Sequence, residues 1–84
     1  MAQLNLELLL FADVAQICGT DRLPLTCPPD STVEHLLGLV IDAHPDLADR
    51  RASLAVAVNE RYVDRDHRLQ DGDTVALIPP VSGG

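Results

Sequence analysis

The chain has no lysine and no tryptophan, and its only aromatic residues are Phe11 and Tyr62. Bases therefore have no aromatic platform on which to stack. Cationic charge is also scarce: six arginines face thirteen acidic residues, and the net charge is −7. Phosphates would be repelled, which excludes nucleic acid as a partner. Long apolar runs are missing too. The stretch from Leu4 to Phe11 is too short to span a bilayer and carries Asn5 and Glu7. It lacks the positive flank of a secretory signal, so no membrane association and a cytoplasmic location are expected. Cysteine is limited to Cys18 and Cys27, nine residues apart and not in a C-x-x-C arrangement. In a reducing compartment they read as small buried hydrophobes, with metal binding and a disulfide as alternatives.

What is present suits one small domain. Eighty-four residues that are 46% hydrophobic can build one modest core but not two. The whole chain, 1–84, is therefore read as a single domain, with residues 80–84 as a projecting, flexible C-terminal tail. An acidic surface suits a basic protein partner, or simply solubility.

Strict alternation from Gln3 to Phe11 predicts a strand, with Leu4, Leu6, Leu8 and Leu10 on one face and Leu9 and Phe11 on the other. Ala12 to Cys18 can form two helical turns ended by Gly19. Arg22 to Cys27 alternates again and can pair with the first strand. Ser31-Thr32-Val33-Glu34 reads as a capping box. Val33, Leu36, Leu37, Val40, Ile41 and His44 then form one apolar helical stripe, stopped by Pro45. Gly38 lies within that helix at a cost of roughly 1 kcal/mol against alanine, which close packing on a sheet would explain. Asp46 to Ser53 is expected to be an irregular loop. Strands follow at Leu54 to Asn59, Arg61 to Val63 and Thr74 to Pro79, with Leu69 anchoring a polar crossover and Asp71-Gly72-Asp73 turning the chain. This order implies an α+β architecture of two layers, one main helix across a mixed sheet, with the first and last strands parallel at its centre.

No catalytic constellation accompanies it. His35, His44 and His67 have no metal-ligand spacing. Asp64, Asp66, Asp71 and Asp73 fail the calcium-loop pattern and read as solvated turn carboxylates. Ser31 reads as a cap and not a nucleophile, and there is no glycine-rich phosphate loop. The chain is not expected to be an enzyme on its own.

Two outward features remain. Leu9, Phe11, Thr74, Ala76, Ile78, Ala55 and Ala57 would share the face of the sheet away from the helix, an apolar patch of the kind that marks partner sites. Beyond it, Pro79-Pro80 stiffen the start of a tail that ends in Gly83-Gly84, with an unshielded carboxylate. Five residues from Pro80 reach at most ~18 Å, enough to enter a partner's active site while the domain docks outside.

Leu10-Phe11-Ala12, Gly19-Thr20-Asp21, Asp71-Gly72-Asp73-Thr74-Val75 and the terminal Pro79-Pro80-Val81-Ser82-Gly83-Gly84 resemble the small subunit of molybdopterin synthase, the MoaD family. The likeness covers nearly the whole chain, and the terminal motif is its most specific part. The resemblance implies a ubiquitin-like β-grasp fold of about five strands, and a sulfur carrier for molybdenum cofactor biosynthesis. It implies that an E1-like adenylyltransferase adenylates Gly84 with ATP, that sulfur converts the adenylate to a thiocarboxylate, and that Gly83 gives access. It implies that the tail enters the large subunit, which transfers sulfur to cyclic pyranopterin monophosphate. Leu9, Phe11, Ile78, Pro79, Pro80, Val81 and Ser82 would then contact partners. No cofactor would be bound by this chain, and ATP and magnesium would belong to the activating partner. Family members often carry an Arg-Glu pair in the first helix. Ala15-Gln16 stand there instead, so that ion pair is not carried over. The alternatives are a sulfur carrier for thiamine or cysteine synthesis, a ubiquitin-like protein modifier, and a docking domain with an inert tail.

Overall fold

The computed structural model describes residues 2–80; Met1 and the predicted tail residues Val81, Ser82, Gly83 and Gly84 lie outside the described residues. Strand β1 (Leu4–Leu10) leads through helix α1 (Ala12–Cys18) to β2 (Arg22–Cys27). Helix α2 (Val33–Ala43) and a 3₁₀ helix (Pro45–Ser53) precede β3 (Ala55–Val58), β4 (Arg61–Tyr62) and β5 (Thr74–Ile78). The strands form one mixed sheet in the order β2-β1-β5-β3-β4. β1 and β5 run parallel, while β1–β2, β3–β5 and β3–β4 are antiparallel. The last strand is thus the central one, and the first lies beside it.

Period-two burial follows the leucine alternation. Leu6, Leu8 and Leu10 of β1 are buried, as are Val75 and Leu77 of β5 and Leu54, Val56 and Val58 around β3. They pack against Val33, Leu36, Leu37 and Val40 of α2 in one core. Burying each of these helix side chains contributes roughly 2 kcal/mol. Among the described residues, no helix is long and apolar enough to cross a membrane.

The ends of the helices have identifiable causes. Gly19 adopts φ 76° after α1, and its N–H donates to the carbonyls of Ala15 and Gln16. The cap of α2 lies one residue beyond the expected one. Thr32, not Ser31, is the N-cap, and its Oγ1 accepts from the His35 N–H at 3.2 Å. The Ser31 hydroxyl instead donates to the Pro28 carbonyl at 2.7 Å. The Val33 and Glu34 N–H groups donate to the carbonyls of His67 and Arg65, so the crossover before β5 completes the helix end. Glu34 is left free to pair with Arg51 across to the 3₁₀ helix.

The expected loop after Pro45 is the 3₁₀ helix. Leu47 is its buried residue, and the Arg65 guanidinium donates to the carbonyls of Arg51 and Leu54 at 2.9 and 2.8 Å. Arg50 joins it to α1 through Asp13, with Nε 2.6 Å from the carboxylate. Two further expectations fail. A Cβ built on Gly38 meets nothing within 4 Å, so close packing does not explain that glycine. Asp71 and Asp73 are not idle solvated carboxylates. Asp71 accepts from the Asn5 N–H at 2.7 Å, and Asp73 is only 8% exposed.

Candidate functional site

The face of the sheet away from α2 is open, and the strand register determines its shape. One rung runs across all five strands: Arg22, Leu9, Ala76, Ala57 and Tyr62 are successive cross-strand partners. The side chains of a rung share one face. Two alanines, whose side chains are short, therefore form a floor between Leu9 on one side and Tyr62 on the other. Strands lie about 4.8 Å apart, so these two walls stand roughly 14 Å apart across three spacings. In the next rung Ile78 pairs with Ala55. Phe11 follows directly on Leu10, whose partner is Leu77, and so lies level with Ile78.

The result is an open hollow of about 540 Å³. Leu9, Phe11, Ile78 and Tyr62 wall it, Ala57 and Ala76 floor it, and Asn59, Glu60 and Thr74 close its polar end. Of the outward set expected from alternation, Leu9, Phe11, Ala57, Thr74, Ala76 and Ile78 line this hollow; Ala55 does not. Pro79 and Pro80 continue from β5 at its Ile78 end. Because β1 and β5 are parallel, the chain leaves the sheet at the same end as Phe11.

Both aromatic residues of the chain are on this hollow, and both are exposed, Phe11 by 45% and Tyr62 by 74%. Tyr62 escaped the sequence reading. β4 is two residues long, too short for alternation to assign a face, and only its pairing with Ala57 shows where Tyr62 points.

Backbone strain collects at the same place. Four non-glycine residues among those described have positive φ, and three of them flank the hollow: Ala12 at 52°, Asn59 at 51° and Glu60 at 72°. Ala12 turns the chain from β1 into α1 directly after Phe11. Asn59 and Glu60 form the two-residue β3–β4 turn, in which both positions must be left-handed. Asparagine tolerates that conformation. A residue such as glutamate is held there at a cost of about 1 kcal/mol against glycine. A polar network fixes the turn. Asn59 Oδ1 accepts from the Thr74 N–H at 3.0 Å, and Asn59 Nδ2 donates to Asp73 at 2.9 Å. The other Asp73 oxygen accepts from the Gln70 N–H at 2.8 Å.

The remaining candidate residues are apart from this face. Among the described residues, no three His, Cys, Asp or Glu side chains are placed to hold a metal ion. Cys18 and Cys27 are free thiols. Burial pushes both above their ordinary pKa of 9.0, with the Ser31 hydroxyl acting in the opposite direction at Cys27. Raised values disfavour the reactive thiolate. On α1, Ala15 is half-buried and Gln16 exposed, and neither carries a charge.

Comparison with known proteins places this geometry in a family. Residues 8–84 match the ThiS family. The molybdopterin synthase sulfur carrier subunit of Escherichia coli (strain K12) is 38% identical, over 94% of this chain and 99% of its own length. The Homo sapiens protein of the same name is 37% identical, over 95% of this chain and 94% of its own. Among solved structures, small archaeal modifier protein 1 (SAMP1) from Haloferax volcanii superposes with a TM-score of 0.86 at 32% identity, covering 95% of this chain and 99% of that one. A putative molybdopterin converting factor subunit 1 from Pyrococcus furiosus gives 0.83 at 30% identity, covering 93% and 99%. With a ubiquitin-like β-grasp fold and these similarities along nearly its full length, the chain belongs to the ThiS family.

Proposed function

We propose that this chain is the sulfur carrier subunit of a molybdopterin synthase, with Gly84 as the carrying residue. The observation that supports the reading best is the register of the parallel β1–β5 pair. It sets Phe11, Ile78 and the start of the Pro79-Pro80 segment at one end of an apolar hollow. A partner covering the hollow would stand beside the chain that leads to Gly83-Gly84. The Gly84 carboxylate attacks the α-phosphorus of ATP on an E1-like adenylyltransferase, and pyrophosphate leaves. Sulfide-level sulfur then attacks the acyl carbon, AMP leaves with the C–O bond, and a thiocarboxylate results. Val81 and Ser82 bring it into the large subunit, where two such transfers build the dithiolene on cyclic pyranopterin monophosphate. ATP and magnesium belong to the activating partner. This chain supplies docking, reach and the acyl group, and is not itself catalytic.

Intact mass tests the carrier chemistry. The full chain, incubated with ATP, the cognate activating enzyme and a sulfur donor, should exchange one oxygen for one sulfur. A thiocarboxylate-selective alkylator should trap the product, because oxidation of a thiol or Met1 gives the same nominal shift. A Gly84-deleted chain should keep its thermal midpoint and show no trapped product. Absence of the exchange in the full chain, with an active enzyme, refutes the reading. Phe11→Asp tests the docking: it should weaken the complex with the large subunit without unfolding the domain, because it buries a charge in the interface.

The similarity to SAMP1 favours a second reading, a protein modifier joined through Gly84 to lysines of other proteins. Without lysine, the chain cannot extend such links on its own side chains. Conjugates that vanish with Gly84, in place of a trapped thiocarboxylate, would favour it.

A further inference from the structure

We infer that Glu60 reads an arginine on the protein that docks in the hollow, and so helps to select that partner; the inference rests on the docking proposed above. Its starting point is the turn. Glu60 holds φ 72° at the second position of a two-residue hairpin turn, where glycine fits without strain. A strained, non-glycine position of this kind points to a functional role for its side chain.

Among the described residues, the fold does not use that carboxylate. Glu7, Asp13, Asp30 and Glu34 each face an arginine, while Glu60 makes no ion pair among the described residues. It donates or accepts no side-chain hydrogen bond among them either. Instead it is exposed on the rim of the hollow, which it lines together with Tyr62. The Tyr62 ring is 74% exposed and likewise has no side-chain hydrogen bond among the described residues.

An aromatic ring and a carboxylate on the rim of one hollow can together take a cation. The ring attracts the cation through its quadrupole and the carboxylate through its charge. Arginine suits both better than lysine, since a planar guanidinium stacks on the ring and offers a fork of donors to the carboxylate. The apolar walls require an aliphatic or aromatic group on the same partner. The net charge of −7 favours approach of a basic surface from a distance. The occupant is therefore a protein surface with an apolar centre and an arginine at its edge, over the β3–β4 turn.

Titration of the full chain with the cognate large subunit, at low and high salt, tests this. Glu60→Gly should raise the thermal midpoint, because it relieves the backbone, and yet weaken binding about three- to tenfold at low salt. Glu60→Gln keeps the strain and the shape but not the charge. It should weaken binding by a similar factor, flatten the salt dependence, and leave the midpoint where it was. Unchanged affinity in both variants overturns the inference, as does a lower midpoint for Glu60→Gly, which would assign the carboxylate to the fold. Phe11→Asp separates the two levels. If it disrupts the complex and the Glu60 variants do not, only the Glu60 role fails. If it leaves affinity unchanged, the docking reading fails and this inference with it.

Discussion

Replacing Gly38 by alanine should stabilise the protein. Gly38 sits in the middle of α2, with neither a left-handed φ nor a neighbour within 4 Å of the position a Cβ would take. Neither usual justification for a helical glycine is present, so only its backbone freedom remains. Glycine costs 0.8–1.0 kcal/mol against alanine in a helix interior, so Gly38→Ala should gain about 0.8–1 kcal/mol. In a domain of this size that raises the thermal midpoint by about 4–8 °C. In urea, with a slope near 1 kcal/mol/M, the midpoint should move up by about 0.8–1 M. Far-UV circular dichroism is the suitable probe, because the chain has no tryptophan. The slope must stay constant for the shift to report stability alone. An unchanged or lowered midpoint at constant slope would refute the reasoning and show that the space beside Gly38 is occupied in solution.

Asp73→Ala should destabilise the domain by about 2 kcal/mol in the same assay, since it strips acceptors from the Asn59 amide and the Gln70 N–H. An effect below about 0.5 kcal/mol would mean that water takes over both bonds. The half-buried Cys18 and the buried Cys27 predict a pH dependence. The folded pKa values of Cys18 and Cys27 are raised, so their contribution is complete below the unfolded-state pKa and is lost as pH rises through the folded values. Stability should therefore fall above pH 9, where a chain without lysine has few other groups titrating. The fall should shrink in a Cys18→Ala, Cys27→Ala double variant; an equal fall there would assign it to other groups.

Much of the fold was legible because single periodicities decide it. The β1 leucines, the α2 stripe and Gly19 each have one consistent reading, and the structure follows all three. The parallel pairing of β1 and β5 was legible as well, and with it the outward placement of Leu9, Phe11 and Ile78. What was hidden depends on contacts distant in sequence. Ser31 and Thr32 are equally able to cap a helix; the Pro28 carbonyl engages one and leaves the other. Arg51 draws Glu34 away from a capping box. Tyr62 and Glu60 owe their positions to a turn closed by Asn59, Asp73 and Thr74, residues up to fifteen apart. The 3₁₀ helix has no periodicity to announce it, since Leu47 is its one buried residue.

The placement of β5 has a mechanical consequence. The strand is flanked on both sides, by β1 along Thr74–Leu77 and by β3 along Val75–Ile78. Tension applied at Pro80 acts along the axis of that strand. It loads both ladders in shear, so their hydrogen bonds must yield together and cannot be peeled one at a time as at an edge. A machine that grips the chain beyond Pro80 and draws on it works against the strongest direction of the sheet. The pairing of β5 on both sides thus favours a domain that stays folded while its end is drawn upon.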